Sequence, residues 1–244
     1  MNIALIGYGK MGREIERVAK ERGITVAAIF DVAENPDGSG LTGESLKSVD
    51  VCIDFSSSEA VVENIRRVAD CGKNIVVGTT GWHDRLEDVK AVVKSSKIGL
   101  LHSSNFSLGV NIFLQVVMDA ARHFNKYPGY DVAITETHHT AKADAPSGTA
   151  LSLGAAVLKE FTRKTDLFSE TSHGKMKPTQ LHVTSTRLGS TVGKHAVVFD
   201  SEADTIELIH TAKSRAGFAL GAVVAAEWLK GKKGVYTMRD VVMS

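Results

Sequence analysis

Through the first hundred residues, short apolar runs alternate with stretches whose apolar positions recur every three or four residues. The runs at residues 2–6, 24–30, 50–55, 74–78 and 97–102 predict strands, and residues 11–21, 59–69 and 86–94 predict helices. In the first of these helices Ile15, Val18 and Ala19 would face a sheet, while Arg13, Glu14, Arg17 and Lys20 would face water. Strand–helix alternation of this kind predicts an α/β fold: a Rossmann-type, doubly wound parallel sheet with helices on both faces. Residues 35–43, rich in Gly, Asn and Asp, read as a surface loop.

After residue 107 the rhythm changes. Residues 108–124 predict one long helix, 131–137 a strand, 138–146 a polar insertion, and 147–161 a helix capped by Ser147. Three strand-like runs follow with no helix between them, at residues 180–188, 194–200 and 205–211. They predict a second, α+β domain with an open mixed sheet, whose uncovered face or edge favours self-association. Residues 162–177 are polar and read as a mobile loop, and 216–229 form a last helix that can return to the first domain.

Composition narrows the function classes. Lys+Arg and Asp+Glu number 29 and 28, so no whole-chain field would hold nucleic acid or anionic lipid, and any anion chemistry must be local. The longest mostly apolar stretch, residues 216–229, is too short for a membrane span and contains Glu227. Cys52 and Cys71 read as free thiols rather than a disulfide framework. With no secretory pattern at Met1, the expected compartment is the cytoplasm.

The first chemical motif is Gly7-Tyr8-Gly9-Lys10-Met11-Gly12, a G-x-G-x-x-G turn between the first strand and first helix. Gly7 permits the tight turn, Gly9 the approach of a pyrophosphate, and Gly12 close helix packing; the helix N-terminus then attracts the phosphates. Asp31 ends the second strand, where it can accept from ribose hydroxyls. Two further loops follow strands on the same side, Gly78-Thr79-Thr80 and Ser103-Ser104-Asn105-Phe106, where the nicotinamide half is expected.

The densest polar cluster runs from Glu136 to Ala150. It brings His138, His139 and Lys142 together ahead of a helix that opens Ser147-Gly148-Thr149. Imidazoles pass protons near neutrality, and a helix N-terminus beside an ammonium suits a carboxylate, so an anionic, proton-accepting small molecule is expected. No metal site is expected: adjacent histidines point in different directions, and neither cysteine has ligand spacing. On the residues alone, another two-domain amino-acid dehydrogenase and a non-catalytic nicotinamide-binding sensor both remain open.

The chain resembles the 4-hydroxy-tetrahydrodipicolinate reductase (dihydrodipicolinate reductase) family of bacterial lysine biosynthesis along nearly its whole length. The resemblance rests on the glycine motif, Asp54-Phe55-Ser56, Gly78–Gly81, Asn105-Phe106-Ser107 with Gly109-Val110-Asn111, and E-x-H-H-x-x-K-x-D-A-P-S-G-T-A from Glu136. Arg187, Gly193 with His195, and His210 with Ser214-Arg215 continue it. It implies a dinucleotide domain of residues 1–106 plus 215–244, a substrate and oligomerisation domain of residues 107–214, and a homotetramer. It also implies His138 as proton donor, Lys142 as second catalytic residue, and His139, Gly148 and Thr149 as ligands of a heterocyclic dicarboxylate. Many members carry basic residues where this chain has Thr140-Ala141, so its site is less positive.

Cofactor choice turns on Asp31-Val32-Ala33-Glu34. A ribose 2′-phosphate beside Asp31, with another acid close by, meets repulsion of roughly 1 kcal/mol in water and about 4 at an effective dielectric of 20 for charges about 4 Å apart. NADH is therefore expected to be preferred, with NADPH usable because Lys10 can approach the same ribose.

Overall fold

The structure, a computed structural model, describes every residue of the chain except Glu34 and Pro36. The elements in chain order are β1 (Asn2–Ile6), α1 (Lys10–Glu21), β2 (Thr25–Phe30), β3 (Val51–Asp54), α2 (Val61–Asp70), β4 (Asn74–Val77), α3 (Leu86–Ser96), β5 (Gly99–His102), α4 (Leu108–Phe124), β6 (Asp131–His138) and α5 (Gly148–Glu160). Then come β7 (Asp166–Phe168), β8 (Gln180–Arg187), β9 (Gly193–Asp200), β10 (Thr205–Ala212), α6 (Ala216–Leu229), β11 (Gly234–Tyr236) and α7 (Met238–Val242). Two compact units emerge: Met1–Leu108 with Arg215–Ser244, and Gly109–Ser214. Among the described residues no helix is long and apolar enough to cross a membrane.

In the first unit six parallel strands lie in the order β11-β5-β4-β3-β1-β2. Side chains alternate across a strand, so β1 sends Ile3 and Leu5 into a core shared with α1, α6 and α7. Ala4 and Ile6 enter the opposite core, shared with α2 and α3. Both faces are covered, which is why these strands are apolar throughout. Cys52 is buried and Cys71 half-buried, and both are free thiols.

In the second unit the sheet order is β10-β9-β6-β8-β7, with β6 antiparallel to β9 and parallel to β8. Its open mixed character is as expected. The core here joins Phe113 and Val117 of α4, Leu153 and Val157 of α5, and Ile134, Val183 and Phe199 from the strands.

Several expectations are corrected. Residues 162–177 are not loop throughout, because Leu167-Phe168 place β7 beside β8, and Gly154 of α5 leaves the space that Leu167 fills. Within 35–43, a reading that includes the undescribed Pro36, Leu41 is buried with Leu46 and Val49. The strand read as ending at residue 137 runs through His138, which pairs with Arg187. The sequence pattern did not mark β11 or α7; β11 is only three residues long.

Glycine content in α6 gives a direct test of this packing. A Cβ at Gly221 would lie 1.6 Å from the Phe106 carbonyl oxygen, whereas at Gly217 the nearest atom, Ser107 Oγ, is 3.8 Å away. Gly→Ala in a helix ordinarily gains up to about 1 kcal/mol. Gly217→Ala should therefore stabilise slightly. Gly221→Ala should instead destabilise by about 1–3 kcal/mol through overpacking, as read by urea denaturation of the two variants.

Candidate active site

Two groups of polar residues are assembled, one in each unit. In the first, the β1–α1 turn carries the glycine motif. Gly7 has φ +87° and donates its N–H to the Phe30 carbonyl at 2.8 Å, and a Cβ there would meet Phe55 O at 2.3 Å. A Cβ on Gly12 would meet Gly7 O at 2.4 Å, so α1 packs onto the turn only because Gly12 has no side chain. At Gly9 nothing lies within 4 Å. The first turn of α1 has no side-chain cap and no acidic residue, which leaves the positive helix end to an anion. This is the cradle a dinucleotide pyrophosphate requires.

Asp31 Oδ1 accepts from the backbone N–H groups of Tyr8 (3.2 Å) and Val32 (3.0 Å), and among the described residues Oδ2 has no hydrogen bond. Gly7, Tyr8, Gly9, Asp31 and Val32 line a cavity of about 320 Å³. Gly9, Lys10, Met11, Gly78, Thr79 and Thr80 line an adjoining one of about 610 Å³. Tyr8 contacts Glu16 through its hydroxyl, and the Arg13 guanidinium lies 4.8 Å from its ring centre. Glu34, the second acid of the sequence argument, lies outside the described residues.

The loops after β4 and β5 differ in character. Thr79 Oγ1 donates to the wholly buried Asp54 at 2.6 Å, so its hydroxyl braces the loop. Asp54 also accepts from Ser56 N (3.1 Å), Ser56 Oγ (2.8 Å) and Asn64 Nδ2 (2.9 Å). Burial pushes its carboxyl above the usual range, while these hydrogen bonds pull it back down. Buried Trp82 donates to the Thr79 carbonyl at 2.8 Å. Ser103 bonds Asn105, Ser104 is exposed, and the Phe106 ring is buried with its centre 5.7 Å from that of Phe55. Ser103–Phe106 line neither cavity described above. Asp54 carries the bracing role that the sequence reading did not assign; its signal was a lone acid closing the apolar run Val51-Cys52-Ile53.

In the second unit the strand register builds the site. Glu136 lies across from Ser185 on β8 and His195 on β9, and His138, two residues on, shares its face and lies across from Arg187. Glu136 is 1% exposed. Its Oε1 accepts from Ser185 Oγ (2.8 Å), Ser147 N (3.0 Å) and the Arg187 guanidinium (3.4 Å from Nη2). Its Oε2 lies 3.0 Å from His138 Nδ1 and 3.7 Å from His195 Nε2. Burial pushes the Glu136 carboxyl up, but hydrogen bonds from Ser147 and Ser185 with His138 nearby outweigh it, so the acid stays below its ordinary range. Burial pushes His138 down, more than Glu136 raises it, and pushes His195 down to about 4.

Ser147 caps α5, its Oγ accepting from Ala150 N at 3.2 Å and contacting His195 Nε2 at 3.2 Å, so its polar groups serve the scaffold. Gly148 is exposed and Thr149 and His139 are half-buried at the same end. Arg187 binds the loop from beneath, donating to the carbonyls of Lys142 (3.3 Å) and Asp144 (2.5 Å). Lys142 Nζ pairs with Asp144 Oδ1 at 2.6 Å. The imidazole that converges on His138 is therefore His195 from another strand, not its neighbour His139. Glu136, His138 and His195 do place ligating atoms within 4.8 Å of one another. Arg187 already neutralises that carboxylate, however, so the geometry suits a proton better than a dication. His195 and Arg187 entered the sequence reading only through the family resemblance and without a role, since only strand pairing brings them to Glu136.

Comparison with known proteins gives the family. Residues 1–106 match the family description "Dihydrodipicolinate reductase, N-terminus", and residues 109–242 match "Dihydrodipicolinate reductase, C-terminus". A 4-hydroxy-tetrahydrodipicolinate reductase from Christiangramia forsetii is 38% identical over 99% of this chain and 98% of its own. One from Anaeromyxobacter dehalogenans is 38% identical over 96% and 94%. A solved, dipicolinate-bound dihydrodipicolinate reductase from Paenisporosarcina sp. TG-14 shares the fold, with a TM-score of 0.79, 22% identity, and coverage of 97% of both chains. The chain belongs to the dihydrodipicolinate reductase family of pyridine-nucleotide-dependent oxidoreductases.

Proposed function

We propose that the chain reduces 4-hydroxy-tetrahydrodipicolinate to tetrahydrodipicolinate, with loss of water, on the diaminopimelate route to lysine. The observation that carries this reading is the buried Glu136–His138 pair beside the N-terminus of α5 and Lys142, a proton donor next to a carboxylate-binding corner. The first unit binds the dinucleotide through Gly7–Gly12, Asp31 and the Gly78–Thr80 loop, with the backbone of residues 103–106 closing the nicotinamide end. The second unit binds the dicarboxylate through His139, Gly148 and Thr149.

When bound, the reduced nicotinamide supplies the hydride. The chain's own residues do the rest. Lys142 leaves Asp144 for a substrate carboxylate, and the α5 N-terminus opposes the charge that develops in the ring. His138 donates the proton that converts the substrate's enamine to product. An assay of nicotinamide oxidation, with substrate generated by the preceding synthase, tests the activity: substrate-dependent oxidation is expected, and oxidation of the nicotinamide that ignores this substrate overturns it.

The second sheet ends on β10, where Ile206 and Ile209 are exposed, and an edge of this kind supports assembly as a homotetramer. Sedimentation of the purified chain decides between tetramer and monomer. A cytoplasmic location accompanies the biosynthetic role.

His138→Gln should lower turnover by about 10²–10⁴-fold while leaving the dissociation constant for reduced nicotinamide within about twofold. Wild-type turnover in the variant removes His138 from the reaction. Lys142→Ala should lower kcat and raise KM for the dicarboxylate, whereas Thr149→Val should raise KM alone. Unchanged KM in both contradicts this placement of the substrate.

For cofactor choice, Asp31 supports a modest preference for NADH, opposed by Lys10 and by Arg13 held over Tyr8. The expected kcat/KM is several-fold higher with NADH, and Val32→Arg should shift the ratio toward NADPH. A wild-type ratio favouring NADPH overturns Asp31 as the discriminator.

A further inference from the structure

Glu136 is named in no step of the chemistry above, yet it is the most connected polar side chain of the second unit. Its two oxygens divide the surroundings. Oε1 holds scaffold: the Ser147 N–H that opens α5, the Ser185 hydroxyl, and the Arg187 guanidinium that clasps the Lys142 and Asp144 carbonyls. Oε2 lies 3.7 Å from His195 Nε2 on β9 and closer to His138. It faces His138 Nδ1 at 3.0 Å, and both atoms are buried without an aligned hydrogen bond in this geometry. Catalytic hydrogen bonds of this kind are often misaligned before substrate arrives and tighten in the complex.

The opposite nitrogen of His138 has a different neighbour. A Cβ at Gly193 would come within 3.0 Å of His138 Nε2, so the absence of a side chain there keeps Nε2 uncovered. One ring nitrogen thus faces a fixed carboxylate and the other faces space that a glycine leaves open.

We propose that Glu136 is a positioning residue that holds His138 in the Nδ1–H form, so that Nε2 is the nitrogen that carries and delivers the transferable proton. In the protonated ring both nitrogens bear hydrogen. Nδ1–H points to Glu136, and Nε2–H goes to the substrate carbon, whose electron pair forms the new C–H bond. The neutral ring that remains keeps Nδ1–H on Glu136 and regains its second proton from solvent. The partner carboxylate of an acid–base histidine fixes tautomer and orientation without taking the proton itself. This assignment rests on the activity proposed above.

The charged and titratable groups that face His138 are Glu136 on its own strand, Arg187 on β8, His195 on β9, and Lys142 with Asp144 from the loop. Of these, Glu136 is the main one that favours the protonated ring, with a smaller contribution from Asp144; Lys142 and Arg187 oppose it. Removing the Glu136 charge therefore lowers the proton affinity of His138 further.

The test combines ¹⁵N imidazole spectra with kinetics on the full chain. In the wild type the neutral His138 ring should show the Nδ1–H pattern; an Nε2–H pattern overturns the proposal with no mutation needed. In Glu136→Gln the amide oxygen can keep the Ser147 and Ser185 hydrogen bonds while its NH₂ faces Nδ1, so the ring should switch to Nε2–H. The alkaline limb of kcat should then move down by about one pH unit or more. At neutral pH kcat should fall at least about tenfold, with KM for the dicarboxylate within about twofold. A tautomer and pH profile unchanged in a folded Glu136→Gln chain overturn the assignment. Gly193→Ala is the second variant: it should lower kcat by crowding Nε2 while the Nδ1–H pattern persists, and wild-type kcat there contradicts delivery from Nε2. Should the chain fail to oxidise nicotinamide with this substrate, the activity falls, while the spectra still report on the Glu136–His138 pair.

Discussion

An ionised carboxylate in a protein interior needs donors or cations on both oxygens, because leaving such a group unpaired costs several kcal/mol. Glu136, 1% exposed, draws on β8 and the start of α5 for its Oε1, while its Oε2 faces the imidazoles of its own strand and of β9. The polar loop between β6 and α5 has few apolar anchors of its own. Arg187 gives it a frame, with one end on Glu136 and the other on two loop carbonyls. Lys142, His138 and the α5 N-terminus are thereby placed by one buried charge.

The first unit uses the same device for a different purpose. Asp54 ends β3 in full burial and gathers Thr79, Ser56 and Asn64, which fixes two loops on the side where the glycine turn opens. Its carboxyl is raised by burial, whereas that of Glu136 is held down despite burial. The difference follows from the partners. For Asp54 burial outweighs the hydrogen bonds from Thr79, Ser56 and Asn64, whereas for Glu136 the hydrogen bonds from Ser147 and Ser185, with His138 nearby, outweigh burial. Asp54 braces two loops, whereas the Glu136 carboxylate, held below its ordinary range, faces an imidazole whose proton it can govern.

How much of this was visible in the sequence depended on range. The periodicities of β1, α1 and α4 are local, and so is the glycine turn, where Gly7, Gly9 and Gly12 each show the space their role requires. The Glu136–Thr149 stretch was legible as a polar cluster for the same reason. The β6–β9 register could not be read, and with it went the placement of His195, which the resemblance named without a role; nor could the β6–β8 register that delivers Ser185 and Arg187. His138 was read as loop because its polarity suggests an insertion, yet it is the last residue of a strand whose alternation puts it on the face of Glu136. Leu167 and Leu41 were missed because one or two apolar residues among polar neighbours carry no period, although Leu167 fills the space beside Gly154 and Leu41 is buried.

The account depends on Glu136 as the joint between strand, loop and helix, and amide hydrogen exchange of Glu136→Ala measures that joint most directly. Loss of the Ser147 acceptor and of the Arg187 anchor should raise exchange across residues 139–150 by about tenfold or more, while the buried β9 residues Val197 and Phe199 keep their protection. Exchange in residues 139–150 that matches the wild type would contradict the claim that this one carboxylate holds the site together.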